Sequence, residues 1–149
     1  MKPPFFSLRV IFFFMIFFAA QSHATGADLV LVATARSSIS QLTPEEVRRL
    51  YLGIPVESGG QPVKPLINAI DNLTREIFMQ EVLFMSMDAY QRQTLLRIHR
   101  TGAAPTPVYT DMPALLEALN ADPDAVTYML RATAVASSGV KIIGELWHN

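Results

Sequence analysis

A polar run at residues 71–75, DNLTR, follows an apolar segment and precedes an amphipathic one. This order is typical of a strand that ends where a helix begins. The free N–H groups and the positive dipole end of such a helix attract anions. Asp71 would repel an anion, whereas Arg75 would attract one. Asn72, Thr74 and Arg75 are therefore candidate ligand-binding residues.

The same side chains have a purely structural interpretation. Asp71 or Asn72 would cap the helix, and Thr74 would fill its first turn. Ser37 and Ser38 present the same choice, because they follow the first predicted strand. Their hydroxyls could contact a ligand at the end of that strand or stabilise a turn. The residue types alone leave both interpretations open.

No other group of residues indicates catalysis or metal binding. The chain has no Cys, which excludes a thiol nucleophile and a zinc–thiolate site. His99 and His148 have no partner at metal-ligand spacing. No G-x-S-x-G sequence positions a serine for attack. The sequence therefore predicts a protein that is not an enzyme and that uses no metal or other cofactor.

The first 24 residues have the layout of a secretory signal peptide. Lys2 and Arg9 give a basic start, residues 10–20 are apolar, and residues 22–24 end in a small–x–small pattern. The alternative is a transmembrane anchor, which needs about 20 apolar residues. Because polar residues end this run earlier, we expect cleavage before Thr25, export to the periplasm and no membrane span afterwards.

Residues 25–149 have the length of one domain. The chain has 12 basic and 13 acidic residues, and two of the basic residues lie in the predicted signal peptide. Ten basic and 13 acidic residues then remain, which gives a net charge of −3. This composition does not predict a basic surface, so we expect no nucleic-acid partner.

Predicted strands alternate with short helices along residues 25–149. Residues 28–34 are apolar throughout, as in strands of parallel sheets that are buried on both faces. Residues 42–53 predict a helix with Thr43 as its N-cap and Gly53 at its end. The other predicted elements are a strand at 63–70, helices at 72–85, 86–100 and after Thr110 or Asp111, and strands at 125–130 and 139–146.

This order of elements predicts an α/β domain with a mainly parallel sheet flanked by helices. Pro65 favours an edge position for the strand at 63–70, because proline cannot donate to a neighbouring strand. In the helix at 86–100, the spacing predicts that one face is turned inward. Its members are Tyr90, Thr94, Leu95 and Ile98.

Three segments, in this order, resemble one family. Residues 39–53, ISQLTPEEVRRLYLG, are similar to the ISxLs-x-x-EvrxiFlG segment of the periplasmic phosphate-binding proteins of ABC transporters and of their short one-domain relatives. Residues 81–102 resemble the helix pair that ends in R-[LI]-x-F-T-G in the short relatives. Residues 112–129 resemble the helix and strand around v-a-x-x-p-G-a-I-G-Y.

The resemblance implies a single lobe of a type II periplasmic-binding-protein-like fold, since full-length receptors are about twice as long and close two lobes on phosphate. These receptors carry R-x-x-G-S-G-T-x-x-x-F where the strand meets the helix. Thr74 and Phe78 match the last two positions of that motif. Asn68 stands in place of its arginine, and residues 71–73 replace its Gly-Ser-Gly. The resemblance thus implies an oxyanion site whose affinity for phosphate is weakened or lost.

Two functions follow as hypotheses. The first is an exported, non-enzymatic solute-binding-like protein for phosphate or another small oxyanion, with two copies pairing where a complete cleft is needed. The second is a periplasmic interaction or sensory module that keeps the fold, has lost the ligand and contacts an envelope protein. The first hypothesis assigns the ligand to one edge of the sheet and to Ser37, Ser38, Asn72, Thr74 and Arg75.

Overall fold

The computed structural model describes residues 27–149, which form a four-stranded central sheet, two two-stranded sheets and five α-helices. The predicted signal peptide therefore lies outside the described residues. The strands are β1 (Leu29–Thr34), β2 (Glu57–Ser58), β3 (Gln61–Pro62), β4 (Lys64–Pro65), β5 (Ile67–Asn68), β6 (Val108–Tyr109), β7 (Ala125–Leu130) and β8 (Val140–Trp147). The helices are α1 (Pro44–Tyr51), α2 (Asn72–Ile77), α3 (Met87–Thr101), α4 (Met112–Ala121) and α5 (Arg131–Ala136), and a π-helical turn at Phe78–Val82 continues α2.

The central sheet has the strand order β4-β7-β1-β8 and is mixed in direction, while β2 pairs with β3 and β5 with β6 in the two small sheets. β4 runs parallel to β7, but β1 runs antiparallel to both of its neighbours. The expectation of an α/β domain with flanking helices is confirmed, and the expectation of a mainly parallel sheet is wrong. All six residues of β1 are buried. Helices on both faces cause that burial, and it does not depend on strand direction.

The side chains of β1 alternate between two apolar clusters. Leu29, Leu31 and Ala33 pack with α1 and with the π-helical turn. Val30 and Val32 pack on the other face with α4 and α5. The domain therefore has three layers, with helices on both faces of the central sheet.

Local signals set the ends of most helices. Thr43 caps α1, as its sequence predicts, and also forms a capping box with Glu46. Ser86 caps α3 by accepting a hydrogen bond from the N–H of Ala89. α3 ends at Gly102, whose φ of 65° is accessible to glycine at little cost.

Two predicted elements differ from the observed ones. The strand at 63–70 is divided into β4, which is an edge strand as Pro65 predicts, and β5, which pairs with β6 instead. Leu66 lies between them, and its N–H still donates to the carbonyl of Val126 in β7. In α3, Tyr90 is buried as predicted, but Leu95 is 57% exposed. The prediction that Leu95 points inward is wrong, because only part of α3 contacts the core.

No helix within residues 27–149 is long and apolar enough to cross a membrane.

Candidate functional site

Strands β5, β6 and β7 end on the same side of the domain. β5 is parallel to β6, and the side chain of Asn68 in β5 donates to the carbonyl of Tyr128 in β7. A helix follows each of these strands, namely α2, α4 and α5. We call residues 69–75, 110–112 and 130–131 the carboxyl edge. In α/β proteins, this side of the sheet is where ligands are usually bound.

Carboxylates occupy the first turns of two helices at the carboxyl edge. The Asp71 carboxylate accepts a hydrogen bond from the N–H of Thr74 at 2.7 Å. The Asp111 carboxylate accepts one from the N–H of Ala114 at 2.9 Å. The predicted capping role of Asp71 is therefore confirmed. These two N–H groups are already satisfied by negative charges, so neither is free for an anionic ligand.

Asn68 occupies the place that arginine has in the receptor motif, and its role here is structural. Its side chain is buried, with 2% of its surface exposed. The amide nitrogen donates to the Tyr128 carbonyl at 2.9 Å, and the amide oxygen accepts from the N–H of Ile70 at 3.1 Å. Asn68 therefore joins β5 to β7 and shapes the turn toward α2, and both ends of its amide are used.

Phe78 anchors α2 to the sheet. Its ring is fully buried and stacks on Tyr128, with 3.7 Å between the ring centroids and 4° between the ring planes. Tyr51 packs edge-on against Phe78, with centroids 4.7 Å apart. The Tyr128 hydroxyl also donates to the carbonyl of Asn68 at 2.8 Å. Phe78, the aromatic residue of the motif, therefore supports the carboxyl edge from within the core. It does not line the edge itself.

Of the predicted ligand residues, two have accessible polar groups at this edge. Asn72 begins α2 and is exposed, whereas Arg75 lies in the last turn of this short helix and is half-buried. Arg75 makes no ion pair with any other residue from 27 to 149. Thr74 is buried, with 2% of its surface exposed. The other arginine of the edge, Arg131, is paired with acidic side chains.

Ser37 and Ser38 lie at the opposite end of the central sheet. They follow the carboxyl end of β1, which lies beside the amino end of β7 because the two strands are antiparallel. The Ser37 hydroxyl donates to the carbonyl of Pro123, in the loop that precedes β7. Ser38 is exposed. The structure therefore does not bring the five predicted residues together, and only Asn72, Thr74 and Arg75 share an edge.

Some features of this edge could not be predicted from the sequence. The sequence identified Asp111 only as an alternative helix cap, because β6 is too short to show a strand pattern that would place Asp111 at the same edge as Asp71. It also did not predict α5 or the pairing of Arg131 with Asp28 at 3.4 Å. That pairing joins residues far apart in the chain, so residue spacing gives no signal for it.

The fold is similar to that of a solved transport receptor. The crystal structure of an ABC-type phosphate transport receptor from Vibrio cholerae superposes with a TM-score of 0.56 and 20% sequence identity. The match covers 80% of this chain and 47% of that one, so this chain spans about half the length of the receptor. At this level of identity the likeness shows a shared fold, as the sequence predicted. No family model matches the sequence, and no curated protein matches it.

Proposed function

We propose that the chain is an exported, non-enzymatic solute-binding-like protein of the periplasm, and that it binds phosphate or another small oxyanion at the carboxyl edge. The observation that carries this proposal is the match of 80% of the chain to a phosphate transport receptor. The position of the edge supports it, because the loops after β5 and β6 lie side by side and lead into helices.

Arg75 and Asn72 are the groups that would contact the oxyanion. A guanidinium without an ion-pair partner can donate two parallel hydrogen bonds to a phosphate. The exposed side-chain amide of Asn72, at the start of α2, adds a hydrogen-bond donor about one helical turn before Arg75. Asp71 and Asp111 oppose an anion at the same edge, and each costs about 1 kcal/mol at 4 Å in water. We therefore propose binding in the millimolar range.

Replacing Asp71 with asparagine should strengthen phosphate binding about fivefold. The change removes one negative charge, and a repulsion of about 1 kcal/mol corresponds to that factor. Asparagine is also a good N-cap, so α2 should keep its start. The measurement is a phosphate titration, by calorimetry and by thermal shift at low salt, of the protein purified after export.

Two variants serve as controls for that titration. Arg75→Gln should weaken phosphate binding, whereas Ser38→Ala should leave it unchanged, since Ser38 is exposed at the opposite end of the sheet. The proposal is overturned when neither the native protein nor Asp71→Asn is stabilised by 10 mM phosphate. Equal affinities in the native protein and Arg75→Gln would move the site away from α2.

A second copy of the chain would complete the cleft. Because the chain spans about half of the receptor, we propose that enclosure of the ligand requires a homodimer. Sedimentation with and without phosphate tests this, and the dimer fraction should rise when phosphate is added.

Export is a separate part of the proposal, with its own test. The signal-peptide layout of the first 24 residues supports it. When the full chain is expressed with an intact secretion system, the periplasmic product should begin at Thr25 by mass spectrometry. A product that keeps residues 1–24 in the membrane fraction would instead indicate an uncleaved anchor.

The second candidate function is a periplasmic interaction or sensory module that keeps the fold without the ligand. The two carboxylate caps favour it, because they fill the first turns at the carboxyl edge. Leu73 favours it as well, since it is 57% exposed beside Asn72. An absence of phosphate binding in all variants would make this the better account.

A further inference from the structure

An open cavity of about 590 Å³ lies beside β4, where the ends of α1 and α3 approach α4. None of the five predicted ligand residues lines it. Its volume is within the range of about 300–1,000 Å³ that is usual for sites of small organic ligands. It is therefore a second candidate site, separate from the carboxyl edge.

Proline and other apolar residues form most of the wall of the cavity. Five of the chain's ten prolines line it. Proline has no N–H and its φ is fixed, so these segments offer no backbone donor at those positions and change shape little. The cavity is therefore preformed and suits an apolar group. The prolines are Pro55, Pro62, Pro65, Pro105 and Pro107.

The charged residues of the wall leave one positive charge without a partner. Lys64 and Asp122 form an ion pair with 2.6 Å between nitrogen and oxygen, so their charges offset each other. Arg97 also lines the cavity and is half-buried. In the part of the chain that the structure describes, Arg97 forms no ion pair.

Because Gly53 has no side chain, the Arg97 side chain can pack close to the backbone there. A Cβ atom added at Gly53 would lie 2.4 Å from the Nε atom of Arg97, closer than atoms can approach. Gly53 also has a φ of 84°, which other residues rarely adopt. The Arg97 side chain therefore packs against the backbone at Gly53, in space that a side chain at position 53 would occupy.

We propose that this cavity binds a small amphipathic carboxylate. The apolar body of the ligand would pack against the prolines, and its carboxylate would receive hydrogen bonds from the Arg97 guanidinium. This ligand class follows from the lining, which combines apolar walls with the Arg97 guanidinium, a cation that forms no ion pair within residues 27–149. The proposal does not depend on the oxyanion site at the carboxyl edge, because the two sites share no residue.

The test compares octanoate with 1-octanol, which has the same chain length and no charge. The full chain is expressed, and the exported protein is titrated with each probe by calorimetry below its micelle or solubility limit. We expect saturable binding of octanoate at one site, about tenfold tighter than that of octanol, since a hydrogen bond to a charged group has about that effect. Phosphate at 10 mM should not displace the octanoate.

Variants of two arginines in α3 test the role of the charge. Arg97→Gln should weaken octanoate binding about tenfold and leave octanol binding unchanged. Arg92→Gln is the matched control, because Arg92 is exposed on the same helix and does not line the cavity. It should bind both probes as the native protein does.

A third variant tests the location of the ligand. Ala118 lines the cavity from α4 and is half-buried. Ala118→Leu should therefore fill part of the cavity and weaken the binding of both octanoate and octanol. Its far-ultraviolet circular dichroism shows whether the fold is kept. The proposal is overturned when octanoate does not bind, when octanol binds equally well, or when Arg97→Gln retains the native affinity for octanoate.

Discussion

Replacing Phe78 with alanine should lower the free energy of unfolding by about 3–5 kcal/mol. The ring is fully buried, stacks on Tyr128 and contacts Tyr51 edge-on. Its removal would leave a cavity between α2 and the sheet, and the two tyrosine rings would lose their packing partner. Urea unfolding of the exported protein, followed by circular dichroism, measures the change.

Phe84→Ala is the matched control for that experiment. Phe84 is only six residues further along the chain, but 65% of its surface is exposed. Its ring contacts the Arg48 guanidinium, which lies 4.1 Å from the ring centroid. Such an exposed cation–π contact is worth about 0.5–1 kcal/mol. Similar losses in the two variants would contradict the central role of Phe78.

Raising the pH above 10 should destabilise the protein, because buried tyrosines, Tyr51 and Tyr128 among them, are held as neutral phenols. Burial raises the pKa of Tyr51 well above its usual value of 10.0, and it also raises the pKa of Tyr128. The folded state therefore keeps both protons when the unfolded chain releases them. Below pH 10 these tyrosines do not reduce the free energy of unfolding. Above pH 10, the ionisation of each one in the unfolded chain lowers the free energy of unfolding by about 1.4 kcal/mol per pH unit.

Urea unfolding at pH 8, 10 and 11 measures this loss, and tyrosinate absorbance reports the ionisation. Above pH 10, Tyr128→Phe should make the decrease in the free energy of unfolding with pH less steep by about 1.4 kcal/mol per pH unit, the contribution of one tyrosine. At pH 8 the same variant should lose only about 1 kcal/mol, because it lacks the hydrogen bond to the Asn68 carbonyl. An unchanged slope above pH 10 would contradict burial of the neutral phenol at this position.

The elements that the sequence predicted well depend on neighbouring residues. Thr43 and Glu46 form their capping box across three positions. Ser86 and Asp71 likewise accept hydrogen bonds from N–H groups three residues ahead. Because such contacts are local, residue types and spacing are enough to predict them. The apolar run at 28–34 likewise predicted a strand buried on both faces, and β1 is that strand.

The short strands could not be predicted in the same way. β5 and β6 have two residues each, which is too few for an alternating pattern. They exist because each finds a partner strand, and Asn68 ties β5 to β7 as well. The segment 63–70 therefore appeared as one strand in the sequence and is divided between two sheets in the structure.

The membership of the candidate site was also decided by tertiary structure. The sequence identified Asn72, Thr74 and Arg75 at a helix start, and it identified the opposing charge of Asp71. It grouped them with Ser37 and Ser38 on the assumption that β1 is parallel to its neighbours. The structure separates the two groups, because an antiparallel strand delivers its following loop to the other end of the sheet.

The sequence by itself determined the class of fold, the helix caps and the weakened match to an oxyanion motif, because these depend on residue identity and short spacing. Tertiary structure alone decided the direction of β1, the pairing of β5 with β6 that brings Asp71 and Asp111 to one edge, and the cavity beside Arg97. Each of these depends on pairing between distant parts of the chain, such as Leu29 with Leu130. The physical reason is that strand direction follows from such long-range pairing, whereas a cap forms within a single helical turn.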